Sequence, residues 1–135
     1  MQSLKVLSAL PSSADLAVLG QSIKDSGLAT TVTEYQDSSQ ALNALLEDDF
    51  DCAFVSAGNP EFDRVDILSE LRRAGSSVPI VFVLGDDGES KIADYLLAGA
   101  HDCLTLSEIT PDTVARTLNT SARVRRAEVR AAEAE

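Results

Sequence analysis

With 135 residues, 44% of them hydrophobic, the chain has the size of one ordinary domain and can form a core without disulfides or metal ions. Its formal net charge of −11, from 22 acidic and 11 basic residues, argues against nucleic acid or an anionic membrane as a partner. No apolar run reaches the roughly 20 residues of a membrane span, and the first residues lack a secretory signal pattern, so we expect a soluble cytoplasmic protein.

The charge is unevenly distributed along the chain. Five of the 11 basic residues lie in the last 20, which leaves six basic against 18 acidic residues in residues 1–110. An acidic excess with only three lysines would also suit a protein solvated in concentrated salt. A halophilic source is therefore a hypothesis that salt-dependent unfolding can test.

Strand and helix patterns alternate in the first half of the chain. In chain order, it is predicted to form strand Lys5–Ala9, a helix between Pro11–Ser13 and Gly27, strand Thr30–Tyr35 and a helix capped by Asp37 or Ser38. In the first helix, Leu16, Leu19 and Ile23 recur at helical spacing. Thr and Val in the second strand favour extended backbone.

The second half continues the alternation with more apolar strands. It is predicted to form strand Cys52–Val55, helix Asp63–Ala74, strand Ile80–Leu84, helix Glu89–Ala98 and strand Asp102–Leu106. Cys52–Val55 and Ile80–Leu84 are continuous apolar runs, which is typical of central strands covered on both faces. Strict alternation with right-handed crossovers predicts a doubly wound α/β domain whose five parallel strands have the order 2-1-3-4-5.

A last helix is predicted from Pro111, with Val114 and Leu118 directed inward. Residues 121–135 are mostly Ala, Arg, Glu and Val, so this helix is expected to extend beyond the domain body. We therefore predict a domain over residues 1–120 and, over residues 121–135, a helical linker to a further module. The extension could also seed a coiled-coil dimer.

Cysteine, histidine and two aspartates offer no catalytic arrangement. Cys52 and Cys103 fall in predicted buried strands, where a thiol behaves as a small hydrophobe, and His101 is the chain's single histidine. Asp51 and Asp102 precede their strands, which suits capping or solvation. We expect no metal site, no cofactor and no enzymatic activity.

Several segments together resemble the receiver domain of response regulators, the CheY-like family, over residues 4–120. They are Lys5-Val6-Leu7, Asp51 to Ser56 with Pro60 four residues on, Ile67-Leu68, Leu71-Arg72, Pro79 and Gly99-Ala100-His101-Asp102. The resemblance implies a flavodoxin-like fold. It also implies acidic Mg²⁺ ligands after the first strand, a phosphoacceptor aspartate ending the third strand and a lysine after the fifth.

The functional positions that the resemblance implies carry other residues here. Leu10 and Pro11 replace the metal-binding acids, Ser56 the phosphoacceptor, Leu84 and Cys103 the two switch residues, and Leu106 the lysine. A serine hydroxyl is neutral at pH 7 and contributes no carboxylate to a metal site. Asp15 and Asp86-Asp87 are either a displaced acidic site or solvated charges near helix starts.

These replacements predict a degenerate pseudo-receiver that acts by protein contact, as the amino-terminal module of a larger signalling protein. The resemblance implies a partner face that includes Tyr95, Leu96, Leu104, Leu106 and Val114, although core packing explains most of these side chains equally well. An alternative is a small-ligand module with an apolar pocket formed by Leu10, Ser56, Leu84 and Leu106. A further alternative is a receiver phosphorylated on an unconventional residue.

Overall fold

A computed structural model describes residues 3–57, 67–85, 88 and 91–134 of the chain. The strands are β1 (Leu4–Ala9), β2 (Thr30–Tyr35), β3 (Cys52–Ser56), β4 (Ile80–Leu84) and β5 (Asp102–Thr105). The helices are α1 (Ser13–Asp25), α2 (Ser38–Glu47), α3 (Ile67–Arg73), α4 (Ile92–Leu97) and α5 (Pro111–Ala134). Strands and helices alternate as predicted.

The five strands form one sheet in the order β2-β1-β3-β4-β5, and each neighbouring pair is parallel. This confirms the predicted strand order and the doubly wound fold. In the central strands, all residues of β4 and the first four of β3 are buried, because helices cover both faces. The carboxyl ends of the strands meet at one edge, which is where such sheets carry their functional sites.

Two hydrophobic cores lie on the two faces of the sheet. Leu19 and Ile23 of α1 and Leu118 of α5 pack on one face against Phe54. On the other face, α2, α3 and α4 contribute Ala41, Leu45, Ile67, Leu68, Leu71 and Tyr95, which pack around Phe82. At roughly 1.5–3 kcal/mol for each large apolar side chain removed from water, these two layers supply the main driving force for folding.

Local sequence signals explain most helix boundaries. The Ser12 hydroxyl accepts the Asp15 N–H at the start of α1, and Asp37 accepts the N–H groups of Ser39 and Gln40 at the start of α2. At the end of α3, Gly75 adopts a positive φ of 92°, which glycine tolerates without strain.

A few predicted boundaries differ from the structure or lie outside the described residues. For α3, the predicted first residues, 63–66, lie outside the described ranges, as do residues 89 and 90 at the predicted start of α4. The prediction that β5 includes Leu106 is wrong, because Leu106–Glu108 form a turn of 3-10 helix. Ala98 likewise lies just beyond the end of α4.

Helix α5 packs on the domain further than its apolar pattern indicated. Ser121 and Ala122 are buried, and the Arg125 side chain, 12% exposed, forms an ion pair with Asp49. The predicted boundary after residue 120 therefore falls inside the packed part of the helix. Within the described ranges, no helix has both the length and the apolar character needed to cross a membrane.

Candidate functional site

The carboxyl edge of the sheet brings the predicted site positions together in a row. Strand pairing sets Ala9 opposite Val55, so Leu10 follows beside Ser56. Ser56 pairs in turn with Val83, and Leu84 pairs with Thr105, the residue before Leu106. Register alone therefore places the four predicted positions at neighbouring strand ends.

Two of these four side chains belong to the core. Leu10 is 2% exposed and packs on the α1/α5 face, whereas Leu84 is 3% exposed and packs on the opposite face. Gly88 also lies close against Leu84, since a Cβ atom built on Gly88 would lie 2.9 Å from the Leu84 Cβ. Leu10 and Leu84 therefore lie on opposite faces of the sheet, and the predicted pocket of Leu10, Ser56, Leu84 and Leu106 stays a prediction.

The polar residues of this edge offer few metal ligands. Pro11 is exposed, Ser56 is half-buried, and half-buried Asp15 belongs to the first turn of α1. The predicted candidates Asp86 and Asp87 lie outside the described residues. Across the ranges that the structure describes, no three His, Cys, Asp or Glu side chains are grouped to hold a metal ion.

The loop after β5 is closed by a contact that sequence reasoning missed. The Glu108 carboxylate accepts hydrogen bonds from the Thr105 N–H and from the Thr105 hydroxyl, both at 2.9 Å. The Thr105 hydroxyl also lies 3.2 Å from that of Ser107. The signal was present, because Thr105-Leu106-Ser107-Glu108 has the spacing of a capping box. The loop is therefore held by neutral and anionic groups at the position where the resemblance implies a lysine.

Comparison with known proteins assigns the family. The model of the response regulator receiver domain matches residues 12–116, which is most of the chain. The chain belongs to the response regulator receiver domain family. Response regulator protein PmrA of Pseudomonas aeruginosa is 36% identical to this receiver over 78 residues, which cover 56% of this chain and 34% of PmrA. The chain thus matches about a third of the length of that relative.

Solved receiver structures share the fold. The signal receiver domain of an HD domain-containing protein from Pseudomonas fluorescens Pf-5 has a TM-score of 0.79 at 19% identity, covering 96% of this chain and 94% of that one. The receiver domain of the Francisella response regulator 1452 has a TM-score of 0.73 at 21% identity, covering 91% and 99%. This chain is therefore comparable in extent to whole receiver domains.

The predicted partner face of this receiver is only partly on its surface. Leu104 and Val114 are buried in the α1/α5 core, so neither can contact a partner, and Leu106 packs partly against the same core. Tyr95 is 9% exposed and stacks on Phe82, with ring centroids 4.3 Å apart. For Tyr95, Leu104 and Val114, the alternative of core packing is therefore correct.

Two neighbouring leucines of α4 remain on that face. Leu96 is 43% exposed and Leu97 is 87% exposed. Sequence reasoning missed Leu97, which is the more exposed of the two. The exposed apolar surface of this receiver on α4 is therefore Leu96 and Leu97.

Both cysteines of the receiver are buried, as predicted. Burial raises the pKa of the Cys52 thiol from 9.0 to about 12, and it raises that of Cys103 to about 11, with the Asp102 carboxylate adding to both shifts. Cys103, where the resemblance implies a switch residue, therefore carries a neutral thiol at physiological pH. Asp51 and Asp102 bond to backbone, accepting the N–H groups of Lys5 and Cys103 at 2.8 Å.

Proposed function

We propose that this receiver domain transmits signals by protein contact, without conventional aspartyl phosphorylation and without enzymatic activity. The observation that carries the proposal is the row of residues at the carboxyl edge: Ser56 ends β3, while Leu10 follows β1 and Leu106 follows β5. The metal ligands, the phosphoacceptor and the lysine that the family resemblance implies are all replaced.

The physical argument concerns charge. Phosphoryl transfer to a receiver depends on a divalent cation and a fixed lysine that neutralise the phosphoryl oxygens, and carboxylates are the ligands that hold Mg²⁺. Leu10 supplies a buried hydrocarbon where the resemblance implies such a ligand. Burying apolar surface stabilises the domain but offers no electrostatic stabilisation to a phosphoryl group.

The test is incubation with acetyl phosphate, and separately with beryllofluoride and Mg²⁺, followed by intact mass and amide chemical shifts. We expect no mass increase and no shift changes near Ser56. A stoichiometric adduct would overturn the proposal and favour an unconventional phosphoreceiver, and its loss in Ser56→Ala would assign the acceptor.

A matched variant separates the loss of the nucleophile from the loss of the whole site. Ser56→Asp restores a carboxylate at the end of β3 but leaves Leu10 and Leu106 in place. We expect this variant also to remain unmodified, because one carboxylate cannot hold Mg²⁺ and neutralise the phosphoryl oxygens. Modification of Ser56→Asp at the rate of an ordinary receiver would show that the remaining replacements are unimportant.

We further propose that the domain is one module of a larger cytoplasmic signalling protein and contacts another module or a protein partner. The match to only 34% of PmrA supports a longer protein, and exposed Leu96 and Leu97 support a contact on α4.

Homodimerisation through α5 is supported by Val124, which is 40% exposed. Light scattering at high concentration tests the dimer, and a monomer with rapidly exchanging amides after residue 125 would contradict it.

A further inference from the structure

A cleft at the amino edge of the sheet concentrates positive charge in an otherwise acidic protein. It has a volume of about 410 Å³ and lies between the first residues of β1, the segment before β3 and the last turns of α5. Lys5, Arg125, Arg126 and Arg130 contribute four cationic side chains. By contrast, residues 1–110 carry six basic and 18 acidic residues, a net charge of −12.

The acidic residues of the cleft are already engaged. The Asp49 carboxylate is 2.8 Å from the Arg125 Nη2, and Asp51 accepts the Lys5 N–H at 2.8 Å. The Arg125 Nη1 donates to the Ser77 hydroxyl, which holds the guanidinium against the domain. Arg125 therefore forms a fixed cationic wall of the cleft.

Two further arginines line the cleft beside Arg125. Arg126 and Arg130 are exposed, and within the described part of the chain their side chains form no ion pair or hydrogen bond. They are four residues apart on α5, so they lie on one side of the helix with their Cβ atoms about 6 Å apart. Two guanidinium groups on neighbouring turns of one helix face can bind neighbouring oxyanions.

We infer that this cleft binds a small phosphate-bearing ligand. Guanidinium groups present paired N–H donors that match phosphate and carboxylate oxygens, and several cationic side chains around one cleft favour a multiply charged phosphate over a single carboxylate. The volume lies within the roughly 300–1,000 Å³ of small-molecule sites, which favours a compact ligand over an acidic peptide. The cleft is at the opposite edge of the sheet from Ser56, so this inference is independent of the proposed function.

The experiment is a titration of the full chain with inorganic pyrophosphate, followed by calorimetry and amide shifts, with KCl at matched ionic strength as the reference. We expect saturable shifts confined to residues 49–51 and 125–130. Shifts equal to those produced by KCl, or spread over the whole domain, would overturn the inference.

Matched double variants test whether position or net charge decides binding. R126A/R130A and R116A/R123A each remove two exposed arginines of α5 and change the net charge equally. Only the first pair lines the cleft. We expect R126A/R130A to bind pyrophosphate about tenfold more weakly and R116A/R123A to bind it normally. An equal loss in both variants would indicate diffuse attraction and overturn the site.

A gain-of-affinity variant guards against loss by misfolding. Asp49→Asn removes the exposed carboxylate that competes for Arg125, so pyrophosphate should bind about threefold more tightly. Asp25→Asn, which makes the same charge change on exposed Asp25 outside the cleft, is the control and should leave affinity unchanged. Equal gains in both variants would contradict a defined site.

Competing ligands identify the source of the phosphate. Vesicles of equal parts phosphatidylglycerol and phosphatidylcholine test a lipid headgroup, and a nucleoside triphosphate tests a free organic phosphate. Sedimentation with vesicles that requires Arg126 and Arg130 would assign a lipid headgroup. Displacement of pyrophosphate by the nucleotide would assign a free ligand. Hexaglutamate that competes as well as pyrophosphate would overturn phosphate recognition in favour of an acidic peptide.

Discussion

Leu10 and Pro11 are adjacent, but the structure places them in opposite environments. Leu10 is 2% exposed in the α1/α5 core, whereas Pro11 is on the surface. We expect Leu10→Ala to lower the free energy of unfolding by about 2–5 kcal/mol, through lost burial and the cavity left behind. Leu10→Asp should be worse, because it buries a carboxylate without a partner. Urea unfolding measures both changes.

Pro11 supplies the control for this pair of positions. Pro11→Asp should lower the free energy of unfolding by less than about 1 kcal/mol, mainly through the greater freedom of the unfolded chain. Similar losses at both positions would mean that Leu10 is not part of the core. The difference between the two positions matters for function, because a metal ligand restored at Leu10 would disrupt the packing of the core.

We expect the domain to lose stability at alkaline pH, because the thiol of Cys52 is buried. Burial raises its pKa from 9.0 to about 12, so above pH 9 the unfolded chain loses a proton that the native state keeps. The stability that the buried Cys52 thiol contributes is therefore fully present below pH 9 and falls as the pH rises. Between pH 8 and pH 10, the free energy of unfolding should fall in both proteins. The fall should be about 1 kcal/mol smaller in Cys52→Ala than in the parent. Identical losses, measured by urea unfolding, would contradict this assignment.

At the scale of elements, Arg125 attaches the second half of α5 to the domain. Its guanidinium bonds to Ser77, before β4, and to Asp49, before β3. Arg125→Ala should cost about 1–2 kcal/mol and accelerate amide exchange from residue 121 onward, because the helix loses these contacts. Arg123→Ala, on an exposed position of the same helix, is the control. Equal exchange in the two variants would show that Arg125 does not dock the helix.

The same helix shows what the sequence could and could not predict. Alternating apolar patterns predicted the strand order, and turn residues and β-branched side chains defined β2 and β4 to the residue. The docking of α5 was not predictable in this way, because Arg125 contacts Ser77 from 48 residues away along the chain. A basic residue in an Ala-rich helix carries no local signal that it will be held against the domain.

The candidate site likewise has features that the sequence could predict and features that it could not. Strand register follows from the fold, so the positions of Leu10, Ser56 and Leu84 could be predicted before their surroundings were known. The alternation of side chains along a strand then places Leu10 on the α1/α5 face and Leu84 on the opposite face, which the pocket prediction did not take into account. The inward direction of Val114 was predicted from helical spacing, and its place in the α1/α5 core confirms it.

At the scale of the whole molecule, the net charge of −11 opposes folding through self-repulsion. Salt screens this repulsion, since the Debye length falls from about 10 Å at 0.1 M to about 3 Å at 1 M. We expect the melting temperature to rise by about 5 °C between low salt and molar KCl, which corresponds to roughly 1 kcal/mol for a domain of this size.

A charge-reduced variant distinguishes screening from a general effect of salt on burial. Asp25→Asn with Glu47→Gln removes two exposed charges from the last turns of α1 and α2, so it should melt higher than the parent in low salt and gain less from KCl. If both proteins gain equally, the salt acts through apolar burial instead. If neither gains, self-repulsion is unimportant and the halophilic hypothesis fails, because an acidic surface adapted to concentrated salt must lose stability when salt is withdrawn.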